Sequence, residues 1–186
     1  GANNSPQGVV LINEIVTSPQ QDCSAGGFLD DSPWGAAGSN DEWIELYIGT
    51  SGLNLIKWNI AVIDGTDFSG DLTSSGAFTE SVYVGSGSFN NTVAGDYLIL
   101  GNPVSDEEIN NDVYITLTDP YGTLVDDVEI GDDEEGDGAG DGAPDGTVTG
   151  GASSGIADES IFRVPLAEDT DDDVADFRRG LASLGM

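Results

Sequence analysis

Apolar and polar positions alternate along this chain in short runs, each ending at Gly, Pro, Asn or Asp. Val9, Val10, Leu11 and Ile12 lead into Glu14, Ile15 and Val16, a first strand bounded by Gly8 and by Ser18-Pro19. In residues 41–49 (DEWIELYIG) Ile44, Leu46 and Ile48 fall on one face and Trp43, Glu45 and Tyr47 on the other. Residues 54–64 alternate as well, with Leu55, Lys57, Asn59 and Ala61 opposite Ile56, Trp58, Ile60 and Val62. Residues 81–85 predict a weaker strand and residues 96–102 (DYLILGN) a strong one. The clearest hairpin is DVYITLTDPYGTLVDDVEIG, whose turn Asp119-Pro120-Tyr121-Gly122 has proline at its second position. SIFRVPL is the last apolar piece, and residues 174–186 read as a tail with at most one helical turn.

No segment of ten or more residues shows a helical period, and six to eight strands with turns between them predict an all-β antiparallel sandwich. Trp43 and Trp58, inside strands, are expected in the core. Trp34, in the loop SPWGAAG, suits either an exposed sugar-stacking contact or a loop anchor. Two long segments interrupt the pattern, residues 19–40 and residues 131–158. The second opens with GDDEEGDGAGDGAPDG, seven carboxylates in sixteen residues, and an insertion of that kind belongs on the surface.

Charge changes this picture most. The chain holds 35 acidic residues against Lys57, Arg163, Arg178 and Arg179, a formal net charge of −31 over 186 residues. Such a surface repels phosphates and anionic lipid, so a nucleic-acid partner is not expected. It suits high salt or divalent cations, which neutralise carboxylates directly. Asp outnumbers Glu 24 to 11, favouring turns and loop ligands over helix faces. No window approaches the ~18 apolar residues of a membrane span.

Cys23 stands alone, so it is either buried or an intermolecular cross-link, and no internal disulfide framework exists. The chain opens on Gly1 instead of methionine, which fits a processed secretory precursor and equally a tag scar. Asn3-Asn4-Ser5 and Asn90-Asn91-Thr92 are glycosylation sequons.

The ordered set VLINEIV, DEWIELYI, NLIKWNIAV, DYLILGN and VYITLTDPYGTLVDDVEIG resembles the lamin tail domain, and the ending ESIFRVP…EDTDDDVADF is similar to the closing segment of its bacterial members. The likeness covers residues 9–180, leaving a leader at 1–8 and a tail at 181–186. Lys57 stands where the family carries glycine before the tryptophan, Ile48 where asparagine is common, and Ala182 to Met186 replace a proline-rich ending. The resemblance implies an immunoglobulin-like sandwich without a catalytic centre, of the kind found in secreted accessory, adhesive or surface modules. That is a likeness of fold, and fold alone does not settle function.

Three segments offer the hard oxygens that calcium takes, six to eight at a time. The first is Asp64, Asp67 and Asp71, with Gly65 and Gly70 letting the chain curl. The second is Asp132, Asp133, Asp137, Asp141 and Asp145, spaced by glycine. The third is Asp169, Asp171 and Asp173, which begins like an EF-hand loop but has Val174 where glycine is needed and Gly180 where a bidentate Glu would close the site. A solvated acidic loop is the alternative for each. With no histidine and no activated nucleophile, catalysis is not expected. The expected protein is an extracellular, calcium-binding structural subunit that self-associates into a cell-surface filament or lattice. A monomeric adhesive module for a cell-surface glycan or protein is the alternative.

Overall fold

The computed structural model describes residues 9–17, 42–63, 67–73, 76–104, 109, 112–131, 159–164, 166, 169–170 and 172–181. Among these residues, ten strands and one helical turn follow in the order β1 (Val10–Val16), β2 (Trp43–Ile48), β3 (Asn59–Ile63), β4 (Phe68–Asp71), β5 (Phe78–Val84), β6 (Tyr97–Pro103), β7 (Val113–Thr118), β8 (Leu124–Ile130), β9 (Glu159–Arg163), α1 (Asp173–Asp176) and β10 (Phe177–Leu181). They form two antiparallel sheets. One has six strands ordered β10-β9-β1-β2-β6-β5, and the other has four, ordered β4-β3-β7-β8. The predicted all-β sandwich is therefore the architecture found, with more strands than the alternation suggested. The leader 1–8, Cys23, Trp34 and most of both insertions lie outside the described residues.

Alternation explains the core. Ile44, Leu46 and Ile48 of β2 pack inward against Ile60 and Val62 of β3 and against β7 and β8. Trp43, on the opposite face of β2, is fully buried too, in a second cluster with Val16 and Ile99. The two tryptophans thus serve different layers, for Trp58 belongs to the inner core. In β1 the register shifts between Ile12 and Glu14, so that Asn13 is the extra residue of a bulge. The bulge resets the period: Val10 and Ile12 face inward before it and Ile15 after it.

Three expectations are revised. The strand at residues 54–64 shortens to Asn59–Ile63, because Lys57 takes φ 66 in a turn that leaves Ile56 exposed and Leu55 buried. The stretch holding Gly70 and Asp71 is strand β4 and not a curling loop. A Cβ on Gly70 would lie 2.3 Å from the Ala77 amide nitrogen, so the glycine permits close approach of two backbones. Gly70→Ala is expected to cost about 1–3 kcal/mol in a urea denaturation series, since a backbone must shift to admit the methyl. A variant as stable as the parent would refute that contact. Finally, the closing tail contains the anticipated helical turn, followed by β10.

Candidate functional site

The six-stranded sheet is wider than the four-stranded one, and because the edge strand β8 packs on β1 and α1, β9 and β10 extend past it. Arg163 sits in that overhang at the end of β9, on the same face as core residue Ile161. Its side chain is 1% exposed and meets three carboxylates: Asp126 at 3.3 Å, Asp169 at 3.3 Å and Asp176 at 3.1 Å. The guanidinium also stacks 4.7 Å from the ring centroid of Phe177, the first residue of β10. Its Nε donates to the Ile12 carbonyl at 3.2 Å, while the Ile12 amide donates to Asp126 Oδ2 at 2.6 Å. Strand β9 pairs with β1 at Glu14 and Ile15. At Ile12 the Arg163–Asp126 pair takes up both backbone groups. The fork of a guanidinium suits this, since its five donors lie in one plane.

Each carboxylate is delivered by a different local cause. Asp126 follows Val125 in β8 and shares the inward face with Val128 and Ile130, opposite Leu117. Asp176 ends α1, and its two oxygens accept from the Thr170 amide at 2.7 Å and the Thr170 hydroxyl at 2.6 Å. Asp172 caps α1 by accepting from the Ala175 amide. Asp173 accepts from the Glu129 amide at 2.8 Å, satisfying a donor on strand β8, an edge of its sheet among the described residues. The described residues of the segment 169–176 therefore work as a strap that joins the edge of one sheet to the overhang of the other.

Burial works against ionisation at Asp126 and Asp173. Burial pushes the Asp126 carboxyl up to about 8, although Arg163 and the Ile12 amide pull it down. Burial likewise raises Asp173 to about 7, opposed by the Glu129 amide and Arg163. One guanidinium faces three acids, so a retained proton lowers the net charge of the cluster. A second buried acidic pair lies across β1 and β2, where Glu14 and Glu45 are direct register partners. Ser160 donates to Glu14 at 2.5 Å and Asn13 to Glu45 at 2.8 Å.

Of the residues singled out as calcium ligands, Asp169 meets Arg163 and Asp173 meets a backbone amide. Asp67 and Asp71 are exposed at the two ends of β4. An extended segment holds their Cα atoms about 13 Å apart, too far for one ion's oxygen shell. Asp64, Asp132, Asp133, Asp137, Asp141, Asp145 and Asp171 lie outside the described residues. Among the described residues, no group of three or more His, Cys, Asp or Glu side chains is arranged to hold a metal ion.

The sequence reading passed over Arg163, Asp126, Asp176 and Phe177. Two signals were present: an arginine within the apolar run SIFRV, and the period-two placement of Asp126 on the face of Val128 and Ile130. The fold and its strap define a two-sheet all-β sandwich closed on one side by a buried ionic cluster. The chain matches no family model, no curated protein and no solved structure. No helix among the described residues is long and apolar enough to cross a membrane.

Proposed function

We propose that this chain is a non-enzymatic extracellular structural protein, a self-assembling subunit of a cell-surface filament or lattice, with a lamin-tail-like sandwich as its rigid unit. The observation that carries this reading is how the chain spends its buried polar groups. One of its four cations is sealed 3% exposed among carboxylates that knit β1, β8, β9 and α1 together. The Ser160–Glu14 hydrogen bond is likewise sealed, at 2% and 0% exposure. Buried ties of this kind rigidify a shape and offer nothing to a substrate.

Divalent cations, calcium first, are the partners proposed for the carboxylates that remain on the surface of a protein of charge −31. Ten millimolar calcium is expected to raise the melting temperature by roughly 3–10 °C over sodium chloride of equal ionic strength, for sites of millimolar to tenth-millimolar affinity. Equal melting in the two salts would remove calcium from the proposal. Size-exclusion chromatography with and without EDTA tests the assembly itself. A subunit runs large, and its size responds to the chelator.

A monomeric adhesive module is the second reading, favoured by Tyr121, 92% exposed at the β7–β8 turn, an aromatic face open to a glycan or a protein surface. Elution near 19.2 kDa under every cation condition would select it.

A further inference from the structure

The distribution of positive charge over the sandwich is uneven. Arg163 is buried, Lys57 lies in the turn before β3, and the other two of the four cations, Arg178 and Arg179, stand side by side and exposed on β10. Strand β10 is an edge of the six-stranded sheet, paired only to β9 among the described residues. Arg178 is opposite Phe162 in the register and Arg179 opposite Ile161, so the two side chains leave opposite faces of the strand. The edge is thereby flanked by positive charge on both sides. Arg178 is braced by the carbonyls of Val174 at 2.8 Å and Phe177 at 2.6 Å.

Apolar surface gathers at the same corner. Val164 is 42% exposed, Leu166 47% and Val174 50%, and all three belong to the connection between β9 and β10. Charged side chains on an edge strand ordinarily repel another copy and guard against aggregation. Here the effect is inverted. Any other copy of this chain presents an overwhelmingly negative surface, and to that surface two exposed arginines are an attraction.

The opposite edge of the same sheet supplies the complement. Strand β5 pairs only with β6 among the described residues and carries Glu80. Every pairing across the six strands is antiparallel, so the two edge strands run in opposite directions. Translating one copy along the sheet sets its β10 antiparallel to β5 of the next. Pairing β10 with its own counterpart would instead place arginines against arginines, which is destabilising. A head-to-tail contact between different surfaces, repeated by translation along the sheet, does not close into a ring and builds an open array.

We propose that β10 takes up the β5 edge of a second copy with Glu80 facing Arg178, whose sheet face it shares, so that one sheet continues from copy to copy. This rests on the self-association reading above and names its contact.

The test is a charge exchange between full-length chains, followed by sedimentation and electron microscopy. The variants Arg178→Glu with Arg179→Glu, and separately Glu80→Arg, alter exposed or half-exposed positions, and circular dichroism melts confirm that each folds. Each alone is expected to raise the critical concentration for assembly by at least about tenfold. An equimolar mixture is expected to assemble again, because the glutamate at 178 on β10 of one variant then meets the arginine at 80 on β5 of the other. If the parent stays at 19.2 kDa under all cation conditions, self-association and this contact fall together. If the parent assembles and both variants do so equally well, self-association stands and the contact is wrong. A mixture that fails to recover also overturns it.

Discussion

Arg163→Leu is expected to destabilise the fold by about 3–5 kcal/mol, the largest effect of any single substitution at the cluster. The cost comes less from the lost attraction than from what remains. Asp126, Asp169 and Asp176, at most 9% exposed at their side chains, would keep their places with no cation among them. The Ile12 carbonyl would lose its donor, and the Phe177 ring its stacked partner. Arg163→Lys should recover little, because a point charge cannot reach Asp126, Asp169, Asp176 and the Ile12 carbonyl together. The denaturation midpoint in urea provides the measurement. A leucine variant within about 1 kcal/mol of the parent would show that the cluster contributes no net stability. Should that variant not fold at all, Asp169→Asn removes one acid and keeps the arginine. It is expected to lose far less, since two acids still hold the cation.

Raising the pH from 6 to 9 is expected to weaken the fold, and the slope above about pH 7 should vanish when Asp126 is replaced by Asn. Asp126 and Asp173 titrate near 8 and 7 in the folded chain, against 3.8 for the ordinary carboxyl. Between those limits the folded state holds protons that the unfolded chain has released. Stability from this source is complete below about 3.8 and is lost as the pH climbs through 7 and then 8. Each group can remove up to about 1.4 kcal/mol per pH unit within its window. The chain has no histidine, so few groups of ordinary pKa compete with this signal between pH 6 and 9. Urea midpoints at pH 6, 7.5 and 9 decide the matter. A flat or rising profile would mean that burial does not hold protons on these acids. Asp126→Asn should flatten the upper part of the profile and leave the part near pH 7, which belongs to Asp173.

The two expectations share an origin. The four-stranded sheet ends at β8 against β1, and β9 and β10 beyond it, whose Ile161 and Phe177 are buried, need a polar-compatible lid. The strap supplies it by trading solvated aspartates for buried ones around a single arginine. Buried ion pairs are often no more stabilising than an apolar core of equal volume. The gain is geometric: Arg163 contacts groups from β1, β8 and the strap, so their relative positions are set by one planar fork.

Local alternation was enough to find the faces of β2, the strong strand β6 and the hairpin of β7 and β8 with its Asp119-Pro120-Tyr121-Gly122 turn. It missed β4 and β10, because FSGD and FRRGL have too few apolar positions to show a period of two. It also misled at Ile56, where a positive φ at the neighbouring Lys57 breaks the strand before the pattern ends. The acidic run at residues 169–173 reads in the sequence as a set of calcium ligands, and in the structure its Asp169 meets Arg163. Its described cation is the protein's own arginine.

From the sequence by itself come the class of fold, the strand faces, the acidic surface and the scarcity of cations, all properties of composition or of neighbours a few residues apart. The tertiary structure alone decided which strands meet. It brought Arg163 to Asp126 across 37 residues and Ser160 to Glu14 across 146. A period of two says which way a side chain points and nothing about what waits there, because sheet partners are chosen by the packing of the whole core.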